Sequence, residues 1–508
     1  MNTTKQELIE KIESRVADKA LERSNADLLI KLINNADSID EAISIAALGT
    51  MYKRTGLHFD PRLEKMSNTI KYFEKNEALS FTTPGAKRTH KLIIGDNYDA
   101  LQNLLIQYKG KIDVIYIDPP YGKDSMGEFA DTNYDNAITR DNLLSMLYPR
   151  LILAKQLLTE EGVIFCSLDD KNQAYVKCLM DEIFGERNFI NNFMWLHGKG
   201  KKDSWSRTLQ QYTLTYAKNK NSLGEWVDKS YTNYDFTNPD NDPKGKWFSG
   251  SLSFSETRSN PLHPNYYTIV SPTGVKWTRQ WQVTKEEMDS LIENGDISWG
   301  DPQKMDGVPR QKIRPCEIDI IPNNIITDKG TTKSAQDDLD KIGLSVHFDY
   351  PKPVELIKHL ISITNKAKDI VILDFFAGSG TTGHAVLDLN AEDGGSRSYI
   401  LCQMNEQSET TREGIAYDVT SKRLKRIMTG ECYDGSKDFE WIKKNKPYGD
   451  NLDVYEIKMV ADNAQEAGQT PFDLIDETLY GKEKFATMRE KIEWVCQNFQ
   501  RTEKYLEE

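Results

Sequence analysis

The sequence predicts an α/β fold, built on a mostly parallel sheet in which strands alternate with helices. Apolar runs at 112–117 and 369–374 each fit a buried parallel strand, and each leads to an acid and a turn. A helical pattern over 141–158, followed by Gly162 and another apolar run, repeats the alternation. Ligands of such sheets bind where the strands end, so the two turns are the candidate site.

The first turn reads Asp118-Pro119-Pro120-Tyr121. Its two prolines restrict the backbone, so the Pro119 carbonyl and the Tyr121 ring are held at little entropic cost. A carboxylate and a carbonyl can accept the two hydrogens of an amine, and an aromatic ring can stack on a planar base. The turn therefore indicates a site for a planar amine such as a nucleobase. Taken alone, these residues would also fit a rigid exposed turn, because Pro and Asp favour turns in general.

The second turn, residues 375–383, is rich in glycine and lies between a predicted strand and a predicted helix. In this glycine loop, Gly378, Gly380 and Gly383 let the backbone approach a ligand closely, as nucleotide-binding loops require. Their G-x-G-x-x-G spacing alone would equally suit a dinucleotide. The next predicted strand ends near Glu406, which could bind ribose hydroxyls in either kind of cofactor.

Together the two turns resemble the S-adenosylmethionine-dependent amino-methyltransferases of DNA. The Asp-Pro-Pro-Tyr motif comes first and the glycine loop second, which resembles the β-class adenine methyltransferases. Their fold is a circularly permuted, Rossmann-like methyltransferase sheet with a recognition region between the motifs. Residues 91–101 resemble the segment that opens the catalytic half of these enzymes, and residues 350–353 with the following helix resemble the element that covers the cofactor. Three further segments, residues 148–151, 162–170 and 180–185, resemble modification (Mod) subunits of type III restriction-modification systems.

The resemblance implies roles for particular residues. Asp118, Pro119, Pro120 and Tyr121 would form the catalytic motif. The residues expected to bind the cofactor are Asp96, Lys352, Pro353, Phe376, Ala377, Gly378, Ser379, Gly380, Thr381, Thr382 and Glu406. Phe376, or alternatively Phe375, would cover the cofactor, and Asn405 is a second candidate for the ribose. Many relatives carry a His four residues before Lys352, where this chain has Phe348 and places His347 one step earlier.

The resemblance also implies an activity, the transfer of a methyl group from S-adenosylmethionine to the N6 amino group of an adenine flipped out of double-stranded DNA. It further implies a homodimer and a separate restriction subunit that supplies helicase and nuclease.

Three alternatives remain open. The first is methylation of the cytosine N4 amine, although those enzymes more often have Ser in place of Asp118. The second is an NAD-dependent dehydrogenase, which leaves Asp-Pro-Pro-Tyr unexplained. The third is a non-catalytic DNA-binding subunit.

The chain has 508 residues, enough for about three domains. The expected division is a helical N-terminal region (1–85), the catalytic half of the methyltransferase domain (86–190), an inserted mixed, β-rich target recognition domain (191–345), the cofactor-binding half (346–430) and a C-terminal region suited to association (431–508). Seven of the nine Trp lie in the inserted region, and we expect most of them to be its core. Its DNA-facing residues are expected to be Lys199, Lys201, Lys202 and Arg207.

Composition sets wider limits. The net charge of −13 argues only mildly against a nucleic-acid partner, because local basic patches decide phosphate binding. A second basic stretch contains Lys304, Arg310, Lys312 and Arg314. The start of the sequence lacks the form of a signal peptide and no apolar run is long enough for a membrane span, so we expect a cytoplasmic protein. The six Cys form no C-x-x-C pair, and no metal site is expected.

Overall fold

The computed structural model describes residues 4–17, 23–48, 69–121, 139–198, 205–228, 235–315, 320–345, 348, 350–461 and 470–499. The chain divides into two compact units, Met1–Asp60 and Pro61–Glu508. The first unit contains the helices α1 (Lys5–Ala17), α2 (Arg23–Asn35) and α3 (Ile39–Leu48). Its apolar core is made by small and aliphatic side chains from all three helices, namely Leu8, Ile12, Ala26, Ile33, Ala36, Ala42 and Ala46. The described residues up to Leu48 are therefore helical, whereas β1 (Thr69–Lys75), also within the region predicted as helical (1–85), is a strand of the second unit because it pairs with the C-terminal strand β15 (Asn451–Ala461).

The second unit is centred on a sheet of ten strands. In spatial order these are β1 (Thr69–Lys75), β15 (Asn451–Ala461), β2 (Thr89–Ile94), β14 (Ser398–Gln403), β13 (Val371–Asp374), β3 (Ile112–Ile117), β4 (Leu158–Leu168), β6 (Gln210–Ala217), β5 (Phe189–Leu196) and β12 (Ile325–Ile326). The six strands from β15 to β4 run parallel to their neighbours. The predicted α/β fold with a mostly parallel sheet is confirmed.

The centre of this sheet joins two distant parts of the chain. Strands β3 and β13 are neighbours, with Val114 opposite Ile372 and Ile115 opposite Leu373. Most residues on these strands are apolar and buried on both faces, as expected for central parallel strands, and Asp113 and Val371 are partly buried. Because the two strands are parallel, the turns that follow them emerge at the same edge of the sheet. This pairing is what the predicted circular permutation requires.

The second unit also contains helices, most of which lie between its strands in the sequence. They are α4 (Asn97–Tyr108), α5 (Thr139–Leu157), α6 (Gln173–Phe184), α7 (Lys285–Glu293), α8 (Thr332–Ile342), α9 (Val354–Ile363), α10 (Thr381–Asp393), α11 (Lys422–Thr429), α12 (Trp441–Lys444), α13 (Pro471–Leu474) and α14 (Met488–Asn498). A π-helical turn, Ala416–Ser421, leads directly into α11. The helix predicted over 141–158 begins two residues earlier, at Thr139, and gives way to β4 at Leu158.

The region predicted as an inserted domain contributes to two kinds of sheet. Its first hairpin, β5 with β6, extends the central sheet beyond β4. The later part forms small sheets of its own, namely β7 (Phe248–Gly250) with β10 (Ile297–Ser298) and β11 (Arg310–Ile313), and β8 (Tyr266–Val270) with β9 (Lys276–Gln280). Trp281 and Trp299 belong to the core of this part and Trp195 to the main core, whereas Trp205 is 94% exposed.

Two cations of the second basic stretch are buried rather than exposed. The Lys312 ammonium lies 2.6 Å from Asp240 and 3.0 Å from Asp242. The Arg314 guanidinium lies 2.8 Å from Asp242 and 2.9 Å from Asp296. Removing one member of such a buried network strongly lowers stability, because the partner charge would then be left without compensation. Lys312 and Arg314 therefore stabilise this part of the fold and do not form a basic surface.

In the described part of the chain, no helix has the length and apolarity needed to cross a membrane. Across the same residues, no group of three or more His, Cys, Asp and Glu side chains has an arrangement suited to a metal ion.

Candidate functional site

A cavity of about 960 Å³ lies where strands β3, β13 and β14 end. Both predicted turns line it. The first turn contributes Asp118, Pro119, Pro120 and Tyr121, and the glycine loop contributes Phe375, Phe376 and Gly378. The opposite wall comes from β5, β6, α8 and the segment before α9, including Trp195, His197, Gln211, Thr332, Lys333, Phe348, Tyr350, Pro351 and Lys352. The structure thus places the two motifs at one cavity.

The carboxylate of Asp118 is bound at both oxygens. The Tyr121 hydroxyl donates a hydrogen bond to Oδ1, and the Lys352 ammonium lies 2.5 Å from Oδ2. The same ammonium lies 3.3 Å from the Tyr121 hydroxyl oxygen. Burial, reinforced by the Asp118 charge, raises the pKa of Tyr121 well above its usual value, so its hydroxyl stays protonated and donates. The three side chains form one connected group at the end of β3.

The backbone of the first turn is anchored from the neighbouring strand end. The Asn172 side-chain amide donates to the Tyr121 carbonyl at 3.0 Å and to Asp169 Oδ1 at 2.8 Å. Below the turn, the Tyr116 and Ser167 hydroxyls are 2.9 Å apart and join β3 to β4. The turn is therefore held by these contacts as well as by its prolines, which keeps the Pro119 carbonyl in a defined position.

The glycine loop needs its glycines for backbone shape and for close packing. Gly378 and Gly380 adopt φ values of 51° and 79°, a left-handed conformation that other residues adopt only with strain. A Cβ on Gly378 would also lie 3.1 Å from the Phe348 ring. Gly383 packs helix α10 closely, because a Cβ there would lie 2.9 Å from Leu424 on α11. The loop can thus bring main-chain atoms to the cavity surface.

Three side chains from later in the chain fix the glycine loop. Gln403, at the end of β14, accepts a hydrogen bond from the Gly378 N–H at 2.6 Å. Thr420 donates to the Gly378 carbonyl at 2.6 Å. The buried guanidinium of Arg423 donates to the Ser379 hydroxyl at 3.0 Å. Sequence reasoning did not select these three residues, because their contacts depend on how β14 and α11 pack beside the loop.

Asp96 lies at the start of α4, beside the glycine loop. Its carboxylate caps the helix by accepting from the Tyr98 N–H at 2.7 Å. The Arg150 side chain, fully buried, places Nη2 3.1 Å from Asp96 and donates from Nε to the Asn97 side chain. Asn97 in turn donates to the Phe375 carbonyl at 2.8 Å. Arg150 therefore ties α5 to α4 and to the loop, a role signalled in the sequence only by its place in segment 148–151.

The residues expected to bind the cofactor fall into two groups. Those that line the cavity are Asp96, Lys352, Phe376, Gly378 and Glu406. Those that lie behind its wall are Pro353, Ala377, Ser379, Gly380, Thr381 and Thr382, and the last four of these form the turn and the first residues of α10. The Asn405 side chain bonds the backbone of Glu413 at 2.7 Å and of Ala416 at 3.1 Å. Of the two ribose candidates, Glu406 is thus the one that lines the cavity.

In the sequence, the residues expected to face DNA lie between two residues that line the cavity. Lys199, Lys201 and Lys202 are outside the described residues, and Arg207 is exposed just before β6. The residues that flank this segment, His197 and Gln211, both line the cavity. Burial and the nearby Lys352 ammonium lower the pKa of His197, so its imidazole is neutral at neutral pH. The described residues His197 and Gln211, on either side of the basic segment in the sequence, thus both lie at the cavity.

Asp374 is a buried acid that sequence reasoning did not select, although it ends the strand before the glycine loop. Its Oδ2 accepts from the Thr382 hydroxyl at 2.5 Å and its Oδ1 from the Phe376 N–H at 3.0 Å. Burial raises the pKa of Asp374 to about 7 against the pull of these two hydrogen bonds, and the Asp118 charge adds to the rise.

This shift makes stability depend on pH in a defined direction. Between about pH 4 and pH 7 the folded protein holds a proton on Asp374 that the unfolded chain has lost, so the free energy of unfolding falls as pH rises through this window. We expect Asp374→Asn, which cannot ionise, to remove part of that fall, on the order of 1.4 kcal/mol for each pH unit. Denaturant unfolding of both proteins at pH 5 and pH 8 measures it. Asp369→Asn, an exposed acid before the same strand, is the control. An equal fall in wild type and Asp374→Asn would contradict the expectation.

The fold and the site define a class of protein. A mostly parallel α/β sheet that presents an acidic, proline-rich turn and a glycine loop to one cavity at its strand ends is typical of nucleotide-binding α/β domains. The family model described as DNA methylase matches residues 112–413, more than half of the chain. The chain therefore belongs to the DNA methylase family. A second model, for a family described as an uncharacterised conserved protein, matches residues 5–114.

Curated relatives agree with this family. The chain is 35% identical over 382 residues to the type III restriction-modification enzyme StyLTI Mod subunit of Salmonella typhimurium, which covers 67% of this chain and 57% of that protein. It is 30% identical over 462 residues to the EcoPI Mod subunit of Escherichia phage P1, with coverage of 76% and 68%. The chain thus spans little more than half the length of the first relative. A solved structure, the cytosine-N4-specific PvuII DNA methyltransferase, matches 65% of this chain and 87% of its own at 13% identity, with a TM-score of 0.35.

Proposed function

We propose that the protein methylates the N6 amino group of adenine in double-stranded DNA, with S-adenosylmethionine as donor, as the modification subunit of a type III restriction-modification system. The observation that carries this proposal is the single cavity lined by both Asp118 and the glycine loop. The family supports the DNA methyltransferase class, and the relatives named as Mod subunits support the type III assignment.

The end of the cavity next to the glycine loop suits the donor. Glu406 follows β14, where a carboxylate can accept hydrogen bonds from ribose hydroxyls. Asp96, whose carboxylate is paired with Arg150, adds further acceptor oxygens, and Phe376 and Ile415 supply apolar contacts for an adenine ring. Bound there, S-adenosylmethionine would supply a methyl group already activated by its sulfonium. The chemistry of these residues fits a nucleoside.

The end of the cavity next to the first turn suits the target base. The amine of adenine is a weak nucleophile, because its lone pair is delocalised into the ring. Asp118 and the Pro119 carbonyl can accept its two hydrogens, which favours a pyramidal nitrogen and stabilises the positive charge that develops there. The Tyr121 ring can stack on the base. Because the amine is out of reach in a duplex, the base must be flipped out of the helix.

The remaining expectations follow as parts of this proposal. Residues 86–190 and 346–430 form the two halves of the catalytic domain, and 191–345 recognises the target sequence. Lys199, Lys201, Lys202 and Arg207 hold DNA phosphates at the cavity edge, since phosphate contacts position a protein on the duplex. The C-terminal region mediates the association of two copies into a homodimer. A separate restriction subunit supplies the helicase and nuclease.

Expression of the full chain in a host without adenine methylation, followed by single-molecule sequencing of the host DNA, tests the proposal. We expect N6-methyladenine in one sequence context and none in cells that express Asp118→Ala. N4-methylcytosine instead would support the cytosine alternative. Stabilisation by NAD, with no methyl transfer from labelled cofactor, would support a dehydrogenase. Sequence-specific DNA binding without any transfer would identify a non-catalytic subunit.

A further inference from the structure

We propose that Lys352 is a positioning residue of the base site, whose ammonium takes the place of the target amine at Asp118 until the base enters. The resemblance to known methyltransferases placed Lys352 with the cofactor. The inference rests on the proposed function, since it concerns how Asp118 meets the amine. It makes the lysine and the base competitors for one carboxylate oxygen.

The first support is the geometry of the contact. Oδ2 of Asp118, 2.5 Å from the Lys352 ammonium, is an acceptor that the amine needs. The ammonium also lies 5.4 Å from the centre of the Tyr121 ring, on which the base is proposed to stack. An ammonium and an aromatic amine both donate N–H groups, so the lysine is a chemical substitute for the amine at this position.

The second support is burial. The Lys352 side chain is 8% exposed and that of Asp118 is 26% exposed. A partly buried carboxylate is destabilised when it loses its charged partner, which favours a cation at Asp118 whenever no other donor is bound there. Lys352 precedes Pro353, the N-cap residue of α9, and its ammonium contacts the Asp118 carboxylate and the Tyr121 hydroxyl.

The third support is the charge that develops during transfer. The amine nitrogen becomes positive as it takes the methyl group, and Asp118 is proposed to stabilise that charge. A second positive charge beside the same carboxylate would repel the charge that develops on the nitrogen. Lys352 must therefore leave Asp118 before the reaction, and the base that displaces it must offer an N–H donor in return.

This competition has a measurable consequence. In the wild type, a base without the amine leaves the Lys352–Asp118 pair in place, so the amine adds little to binding affinity. In Lys352→Met, Asp118 has lost the lysine as its donor, and the amine of the base can take that place. The amine therefore contributes more to binding affinity in this variant than in the wild type. The quantity to compare is the ratio of two dissociation constants, for duplexes that carry purine or adenine at the target position.

The experiment uses the full chain with S-adenosylhomocysteine and a duplex that carries the sequence found in the methylated host DNA. We expect the purine-to-adenine ratio to rise about tenfold or more in Lys352→Met, equivalent to about 1.4 kcal/mol. Lys352→Arg keeps a cation on Asp118 and should stay within about twofold of wild type. Lys333→Met is the matched control, because Lys333 lines the same cavity but contacts neither Asp118 nor Tyr121 among the described residues.

Affinity for S-adenosylmethionine separates the two possible roles of the lysine. We expect Lys352→Met to keep this affinity within about threefold of wild type, a difference below about 1 kcal/mol. An unchanged purine-to-adenine ratio together with a loss of cofactor affinity would show that Lys352 binds the cofactor, and it would overturn the inference. If Lys352→Met does not fold, Lys352→Arg decides. The arginine can bind the Asp118 carboxylate through two hydrogen bonds, so Lys352→Arg should lower kcat without changing cofactor affinity. A wild-type kcat would count against the inference. Failure of the proposed function looks different, since the wild type itself would then transfer no methyl group.

Discussion

Asp118→Ala is expected to lower methyl transfer by on the order of 10³-fold or more, while binding of S-adenosylmethionine survives. The substitution removes an acceptor of the amine hydrogens and the negative charge that stabilises the positive nitrogen. The glycine loop and Glu406 do not depend on Asp118 for their positions, because Gln403, Thr420 and Arg423 hold the loop. Single-turnover transfer from labelled cofactor and calorimetric cofactor binding measure the two effects separately.

A neighbouring acid provides the control for this prediction. Asp170 follows β4, the strand next to β3, and it accepts a hydrogen bond from the Tyr212 hydroxyl at 3.0 Å at an exposed position. Asp170→Ala should keep near-normal transfer. Asp118→Asn tests the charge alone, because the amide keeps the shape of the carboxylate, and it should remain strongly impaired. Near-normal turnover by Asp118→Ala would remove Asp118 from the reaction.

Arg150→Met is expected to lower the free energy of unfolding by about 3–5 kcal/mol, as loss of one partner from a buried ion pair does. The guanidinium is fully buried and bonds Asp96, Asn97 and the Met146 carbonyl. Its removal leaves the Asp96 carboxylate without its cation and frees Asn97, which holds the Phe375 carbonyl. Cofactor affinity should fall as well, because the start of α4 and the glycine loop would lose their common anchor.

Lys155→Met is the matched control, since Lys155 lies on the same helix and bonds the Ile183 carbonyl at 2.6 Å, away from the cavity. It should cost less stability and leave cofactor affinity unchanged. Chemical denaturation and calorimetry measure both quantities for each variant. An Arg150→Met protein with wild-type affinity for S-adenosylmethionine would show that Asp96 and the loop hold their positions without the guanidinium.

The structure separates the side chains that sequence patterns can identify from those that they cannot. Asp118 and the glycine loop stand at strand ends, and strand periodicity with turn chemistry is local information. Arg150, Gln403 and Arg423 act through contacts with residues far away in the chain, so their local sequence is that of ordinary helix or strand. Lys312 and Arg314 show the reverse case. Their local sequence fits a basic surface patch, but in the fold both cations pair with carboxylates in the interior.

The amino-acid sequence by itself determined the parallel α/β architecture, the order of the two motifs and the chemistry that each motif can perform, because hydrophobic period, proline and glycine act over a few residues. Only the tertiary structure decided that β3 lies beside β13, that the β5–β6 hairpin extends the central sheet, and that the Lys352 ammonium contacts Asp118. These outcomes depend on which strands pair and on which buried charge finds a partner. Both are settled by packing and desolvation over the whole fold, where distant residues meet.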